Sequence, residues 1–366
     1  MSRQYKQLEE KWRNYWFQFI LDHPDIEWDW QYICLNENLT WDIVQKHIDK
    51  PWDWGFLSHN KNITWKIIRD NPDKDWKWRG ISCNPNITWD NVLETINKPW
   101  HWTLLSSHPN ITIDIIRDNP DKSWNWEYVS SNPNLTWDFV RDNPDKPWNW
   151  RCISVHVNIT CEIIQENPDY SWNYEWISRN PNLTIEFVKE NLDKDWNWRN
   201  ISANKNITWY IILHNDLPWN FGGFDQNSSV MDEMTMFWWG VSGNSNISWK
   251  MIEDNPEIFY HWPSISSNPN ITSDIILDNI DKNWAWLDLS ENSNLTLELI
   301  NSTKTKDWSW CSISENAMTT QRTDFINDYR LKIIKCNIIK RFWRNCTYNP
   351  EYSLARRLVL QRAEIE

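Results

Sequence analysis

One period governs this chain. The motif Asn-[Ile/Leu]-[Thr/Ser] recurs with its hydroxyl residue at Thr40, Thr64, Thr88, Thr112, Thr136, Thr160, Thr184 and Thr208, always 24 residues apart. A step of 40 leads to Ser248, and the 24-residue spacing resumes at Thr272 and Thr296. That makes eleven units, and residues 17–25 align with 137–145 as a preceding half-unit. A unit of this size cannot bury its apolar side alone, so neighbours must stack into a quasi-one-dimensional array. The 366 residues are therefore expected to form one array rather than two or three globular domains.

Each unit reads as two short helices. The recurrent Thr is an N-cap whose hydroxyl can accept from an orphaned amide. Two positions on, an acid is usual (Asp42, Asp90, Asp114, Asp138, Glu162, Glu186), where it complements the helix dipole. An Ile/Val pair such as Ile43-Val44 supplies the buried edge. Asn-Pro, as at Asn71-Pro72 and Asn119-Pro120, should stop the helix through a left-handed Asn, since Pro cannot continue the turn. The second helix is expected to start at the slot before the first Trp of Trp-x-Trp, where Pro51, Asp75, Ser123 and Pro147 stand. Asn-Pro-Asn then turns the chain back. Both helices span about two turns, too short to persist alone.

The Ile-Ser-x-Asn-Pro-Asn-[Ile/Leu]-Thr joint on this period resembles the leucine-rich-variant solenoid. The Trp-Asn-Trp and Asn-Pro-Asp-Lys segments also resemble tandem-repeat proteins of giant nucleocytoplasmic DNA viruses, over roughly residues 17–316. The resemblance implies a right-handed superhelix and a viral source, and it carries no activity. The expected fold is thus an all-α, right-handed α-solenoid of about eleven two-helix repeats with helical caps at both termini. Its parts are an N-terminal cap and half-repeat (1–30), the repeats (31–316, with an insertion at about 214–237) and a basic helical C-terminal cap (317–366). At the roughly 8–10 Å usual between packed helices, such an array would extend on the order of 100 Å.

Composition matters at one point. The chain has 33 Trp against 6 Gly, in a background rich in Asn, Ile, Asp and Lys that suggests AT-rich coding. Trp has a single G-rich codon, so selection keeps it. On a helix, the two rings of Trp-x-Trp would point about 200° apart. The plain reading is packing between units, because short helices need the large area that Trp buries. The functional reading is an exposed aromatic ladder for a partner, with the second Trp of each pair as the candidate: Trp54, Trp78, Trp102, Trp126, Trp150, Trp198, Trp286 and Trp310.

Two segments depart from the pattern. Residues 214–237 are an irregular insertion, where function often sits on a regular scaffold. Asp225, Asp232 and Glu233 within it match no calcium-loop spacing. Residues 322–366 carry ten Lys/Arg and five Asp/Glu, so the remaining chain holds −18 of the total −13. Residues 322–343 read as an amphipathic helix bearing Phe325, Ile326, Tyr329, Ile333, Ile334, Ile338 and Phe342, and 352–362 as another. The bland role is a cap on the last repeat. The alternative is contact with nucleic acid through Lys335, Lys340, Arg341, Arg344, Arg356 and Arg357.

Other classes find little support. The start is too charged for a secretory signal, and no stretch is apolar enough to span a bilayer. Seven cysteines form no Cys-x-x-Cys pair, which suits reduced thiols. The recurrent Asn-x-Thr joints are explained by capping rather than glycosylation. No phosphate loop, dinucleotide fingerprint, zinc-protease helix or nucleophile elbow is present. The expectation is a non-enzymatic repeat scaffold for protein–protein interaction, with no cofactor or metal and no membrane partner. It would sit in host cytoplasm or the virion. The rivals are a virion packaging protein that contacts nucleic acid through the basic helix, and an enzyme with a site at the insertion.

Overall fold

The computed structural model describes residues 3–220, 240–256, 258, 260–348 and 357. Among them every regular element is a helix. A long N-terminal helix (Arg3–Asp22) and a long C-terminal helix (Thr319–Tyr348) bracket a regular alternation of helices of three to six residues. The first helix of each unit begins as expected. In Trp65–Asp70 the Thr64 hydroxyl accepts from the Ile67 amide, and Thr112, Thr160 and Thr208 repeat this.

Two expectations need correction. The helix-ending Asn is not left-handed: Asn71 and Asn119 have φ near −129° and −126°. The side chain ends the helix instead, with Asn71 Nδ2 donating to Ile67 O at 2.8 Å and Asn119 Nδ2 to Ile115 O at 2.8 Å. The second helix also starts later than expected, at the second Trp, as in Trp54–His59, Trp126–Val129 and Trp150–Ser154. Its N-cap is the residue between the two Trp. Asp53 Oδ1 accepts from the Gly55 and Phe56 amides, and Asn125, Asn149 and Asn197 act likewise. The first Trp lies before the helix, closing a tight i→i+2 turn from Lys74 O to the Trp76 amide at 2.8 Å.

Side-chain ladders weld each unit to the previous one. The first Asn of the joint is buried: Asn84 Nδ2 donates to Ser58 O (2.9 Å), Asn60 O (3.0 Å) and Ile63 O (2.9 Å), while Oδ1 accepts from the Asn86 amide. The second Asn, here Asn86, reaches Lys61 O at 2.7 Å. The buried Ser82 hydroxyl donates to Trp78 O and accepts from the His101 amide of the next unit. The first Trp of each pair satisfies the end of the first helix, with Trp76 Nε1 donating to Asn71 O and Trp124 Nε1 to Asn119 O, both at 2.8 Å. A repeated polar residue thus fills nearly every buried backbone vacancy.

These ladders do not stop at the chain's ends. Asn36 Nδ2 donates to Ser314 O (2.8 Å) and Asn316 O (3.0 Å), the pattern by which Asn84 holds Ser58 and Asn60. The Asp29 amide donates to Ser314 Oγ at 2.9 Å, and the Trp28 and Trp310 rings meet edge to face at 6.2 Å. The row of units closes on itself, so the chain is not the extended rod of the sequence reading. The terminal helices, expected to cover opposite ends, lie together over this junction. Trp12 and Tyr15 pack on Phe325. Arg322 bridges Glu9 and Glu37 at 2.8 Å each, and the buried Trp12 donates from Nε1 to Asn38 Oδ1.

Close helix–helix approaches in the array occur between neighbouring second helices. The tightest places Gly80 against Trp54–His59. A Cβ there would sit 2.6 Å from Gly55 O and 2.8 Å from Ser58 Cβ. Gly80→Ala should therefore lose about 1–3 kcal/mol by overpacking, read as a lower denaturant midpoint. Unchanged stability would show that the two helices are free to separate.

Candidate functional site

The proposed aromatic ladder is built into the framework. Trp54, Trp78, Trp102, Trp126, Trp150, Trp198, Trp286 and Trp310 are all half-buried. Most meet the first Trp of the next unit edge to face: Trp54 on Trp76 at 5.1 Å, Trp78 on Trp100 at 4.9 Å, Trp126 on Trp148 at 5.3 Å. Trp198 meets Trp219 in the same way. Lysines of the Asp-Lys slot lie over the outer faces, with Lys146 at 4.7 Å from the Trp126 ring and Lys306 at 5.3 Å from that of Trp286. Edge-to-face pairing and cation–π contact both stabilise, so these rings are engaged within the chain. The lysine role was not read from the sequence, although its fixed place two residues before the first Trp held the signal.

The framework leaves two variable rows exposed, one on the first helices (Gln45, Arg69, Leu93, Arg117, Arg141 and Gln165 in successive units) and one on the second helices. The position after the second Trp is Gln31, Gly55, Arg79, Thr103, Glu127, Arg151 and Glu175 in successive units. Its charged members are exposed. Beside it stand Tyr128, 40 % exposed, and farther along the row Leu287, 62 % exposed. Members of the row reach the N-cap residue of the next unit: Arg79 Nη1 lies 3.2 Å from His101 Nε2, and Gln31 Nε2 donates to Asp53. Two open grooves, of about 580 and 550 Å³, lie between units near Trp137 and Phe187. Neither gathers residues for a recognisable reaction.

The titratable groups at the joints serve structure. His108 and His156 replace the buried ladder Asn. His108 Nε2 donates to Asn84 O at 3.0 Å while Nδ1 accepts from the Asn110 amide at 3.1 Å, and His156 does the same toward Asn132 and Asn158. Both nitrogens are committed to the neutral ring, and burial lowers both pKa values. Cys34 stands in the Ser slot, and burial pushes its thiol up to about 12, which disfavours a thiolate nucleophile. Among the described residues no group of three His, Cys, Asp or Glu stands together to hold a metal ion.

The histidines give a pH dependence with a definite sign. A folded-state value below the ordinary one near 6.5 means that the unfolded chain binds the extra protons. Stability is full above the unfolded value near 6.5 and falls as pH drops below it towards the lower folded-state value. Thermal melts from pH 7.5 to 5.5 should show the loss, and a His108→Asn/His156→Asn chain should lose less. Parallel curves for the two proteins would refute the assignment.

The basic candidates Lys335, Lys340, Arg341 and Arg344 are exposed on the C-terminal helix, and Arg357 is exposed beyond it. Arg356, most of the helix expected at 352–362, and most of the insertion with Asp225, Asp232 and Glu233 lie outside the described residues. On either side of the insertion the framework rejoins. The Val241 amide donates to Asn220 O, and Asn244 Nδ2 reaches Ser202 O, Asn204 O and Ile207 O. No family model, curated protein or solved structure matches the chain.

Proposed function

We propose that the protein is a non-enzymatic scaffold for protein partners: a solenoid of twelve two-helix units closed into a ring. The twelve steps are those of the buried Asn/His ladder, from residue 36 to residue 316. At the roughly 8–10 Å between packed helices they give a circumference on the order of 100 Å, hence about 30 Å between opposite axes. The more closely spaced row of a closed array has the smaller radius, so the second helices face inward. On this reading recognition runs along their exposed row, and a body of −18 over residues 1–321 favours basic partners.

One observation carries the proposal. Slots consumed by the framework recur unit after unit, while the slot after the second Trp, on the closely packed second helices, is filled by Gln, Gly, Arg, Thr, Glu, Pro, Leu or Cys. A purely structural ring needs no such variety. Exchanging Glu127→Arg, Arg151→Glu and Glu175→Arg should leave stability within about 0.5 kcal/mol, as exposed sites usually do. It should also remove the proteins that the unaltered chain captures from cells producing it, read by quantitative mass spectrometry. Identical capture by both chains would defeat the proposal.

A further inference from the structure

From Arg330 to Asn345 the side chains of the C-terminal helix are exposed except for the half-buried Ile333, and Cys346 is buried again. The first turns of this helix are held by Arg322, Phe325 and Ile326. Leu331, Ile338, Ile339, Phe342 and Trp343 are then 55–63 % exposed. Residues 329–348 carry six Lys/Arg and no Asp or Glu. At about 100° per residue, Leu331, Ile338, Ile339 and Phe342 share an arc of about 100°, with Trp343 at its edge. Arg330, Asn337, Arg341 and Arg344 share about 60° on the opposite side. Lys335 lies within the apolar arc, where its stem can run along the apolar side chains and bring the ammonium to the boundary.

An apolar stripe left in water marks an interaction surface, and its chemistry selects the occupant. The same helix from a second copy would cover the stripe but set six positive charges against six. A nucleic acid would meet the cations and leave the stripe in water. An anionic lipid surface meets both, with headgroup phosphates and carboxylates on Lys and Arg and the apolar side chains at the acyl boundary. The −18 body is repelled by such a surface, which confines contact to the exposed helix. We propose that residues 330–345 form an interfacial helix that docks the protein on an anionic membrane surface. Among the described residues no helix is long and apolar enough to cross a membrane, so the association is peripheral. It is independent of the inner row.

Co-sedimentation of the full chain with phosphatidylcholine vesicles, with and without phosphatidylserine, tests this. Binding is expected only with phosphatidylserine. Lys340→Glu/Arg341→Glu/Arg344→Glu should abolish it, and Ile338→Asp/Phe342→Asp should weaken it by about tenfold or more. All five positions are exposed, so melting temperatures should not move. No binding to phosphatidylserine vesicles overturns the proposal. So does binding that survives Ile338→Asp/Phe342→Asp and is displaced by duplex DNA, which would make the helix a phosphate-binding arm. A dimer that Phe342→Asp dissolves, without vesicle binding, would assign the stripe to a second copy and also overturn it.

Discussion

Asn132→Leu should cost roughly 3–6 kcal/mol, although Leu nearly matches Asn in size. Asn132 is buried, and its Nδ2 donates to Ser106 O and Ile111 O at 2.9 Å each. Its Oδ1 accepts from the Asn134 amide at 2.9 Å. Leucine leaves Ser106 O and the Asn134 amide without partners, at about 1–3 kcal/mol each, and leaves Ile111 O with only the 3.4 Å bond from Asn134 Nδ2. Asn134→Leu is the internal comparison. Asn134 is half-exposed, so water can replace what it gives up, and the loss should be nearer 1 kcal/mol. Denaturant unfolding of both variants measures the difference. Equal small losses would mean that the ladder is incidental to stability.

The second large effect is expected at the junction of the two ends. Arg322 donates from Nε to Glu9 at 2.9 Å and from Nη1 to Glu37 at 2.8 Å. Glu9 is only 7 % exposed. Arg322→Ala removes the ion-pair partner of a buried carboxylate that keeps only the Tyr5 hydroxyl and the nearby Arg13 charge, a change that costs up to about 3–5 kcal/mol. The charge is the cause, so Arg322→Ala/Glu9→Gln should regain much of the loss. The same contacts join the two ends of the array, and Arg322→Ala should raise the radius of gyration in small-angle scattering at denaturant concentrations where the parent is still compact. A loss no greater than that of the exposed Arg69→Ala, with unchanged scattering, would show that Arg322 does not hold the ends together.

The sequence announces the unit better than it announces the whole. Thr caps, the Ile/Val edge and the Asn-Pro-Asn joint act within a few residues, so composition and spacing reveal them. The start of the second helix was misplaced because Asp and Ser before the first Trp are also good helix-start residues. The N-cap, the residue between the two Trp, varies among Asp, Asn, Ser, His, Lys and Ala, and Lys77, His101 and Ala285 make no side-chain cap bond. Closure was hidden for another reason. Asn36 and Ser314 are the residue types used at most interior joints, so nothing in their identity marks a junction between the two ends. One signal existed. Residues 17–25 supply a first helix without the joint before it, and Asn316 to Thr320 supply a joint without its own short helix after it. Two half-units at opposite ends of a chain complete each other when the ends meet. As for the row after the second Trp, its variability is legible in the sequence, but the close approach of the helices that carry it is not.

Closure also sets a rule for how such a gene can change. An open array lengthens or shortens by copying one block, and each added copy finds one familiar neighbour. In the proposed ring every junction turns the chain by about 30°, and a thirteenth block would require about 28° at all of them while keeping the Asn36–Ser314 seam in register. Loss or gain of a single 24-residue block is therefore penalised at every joint at once. Insertions that leave and re-enter at one point, as between Asn220 and Val241, escape that penalty. Such a lineage should vary by loop insertion rather than by copy number.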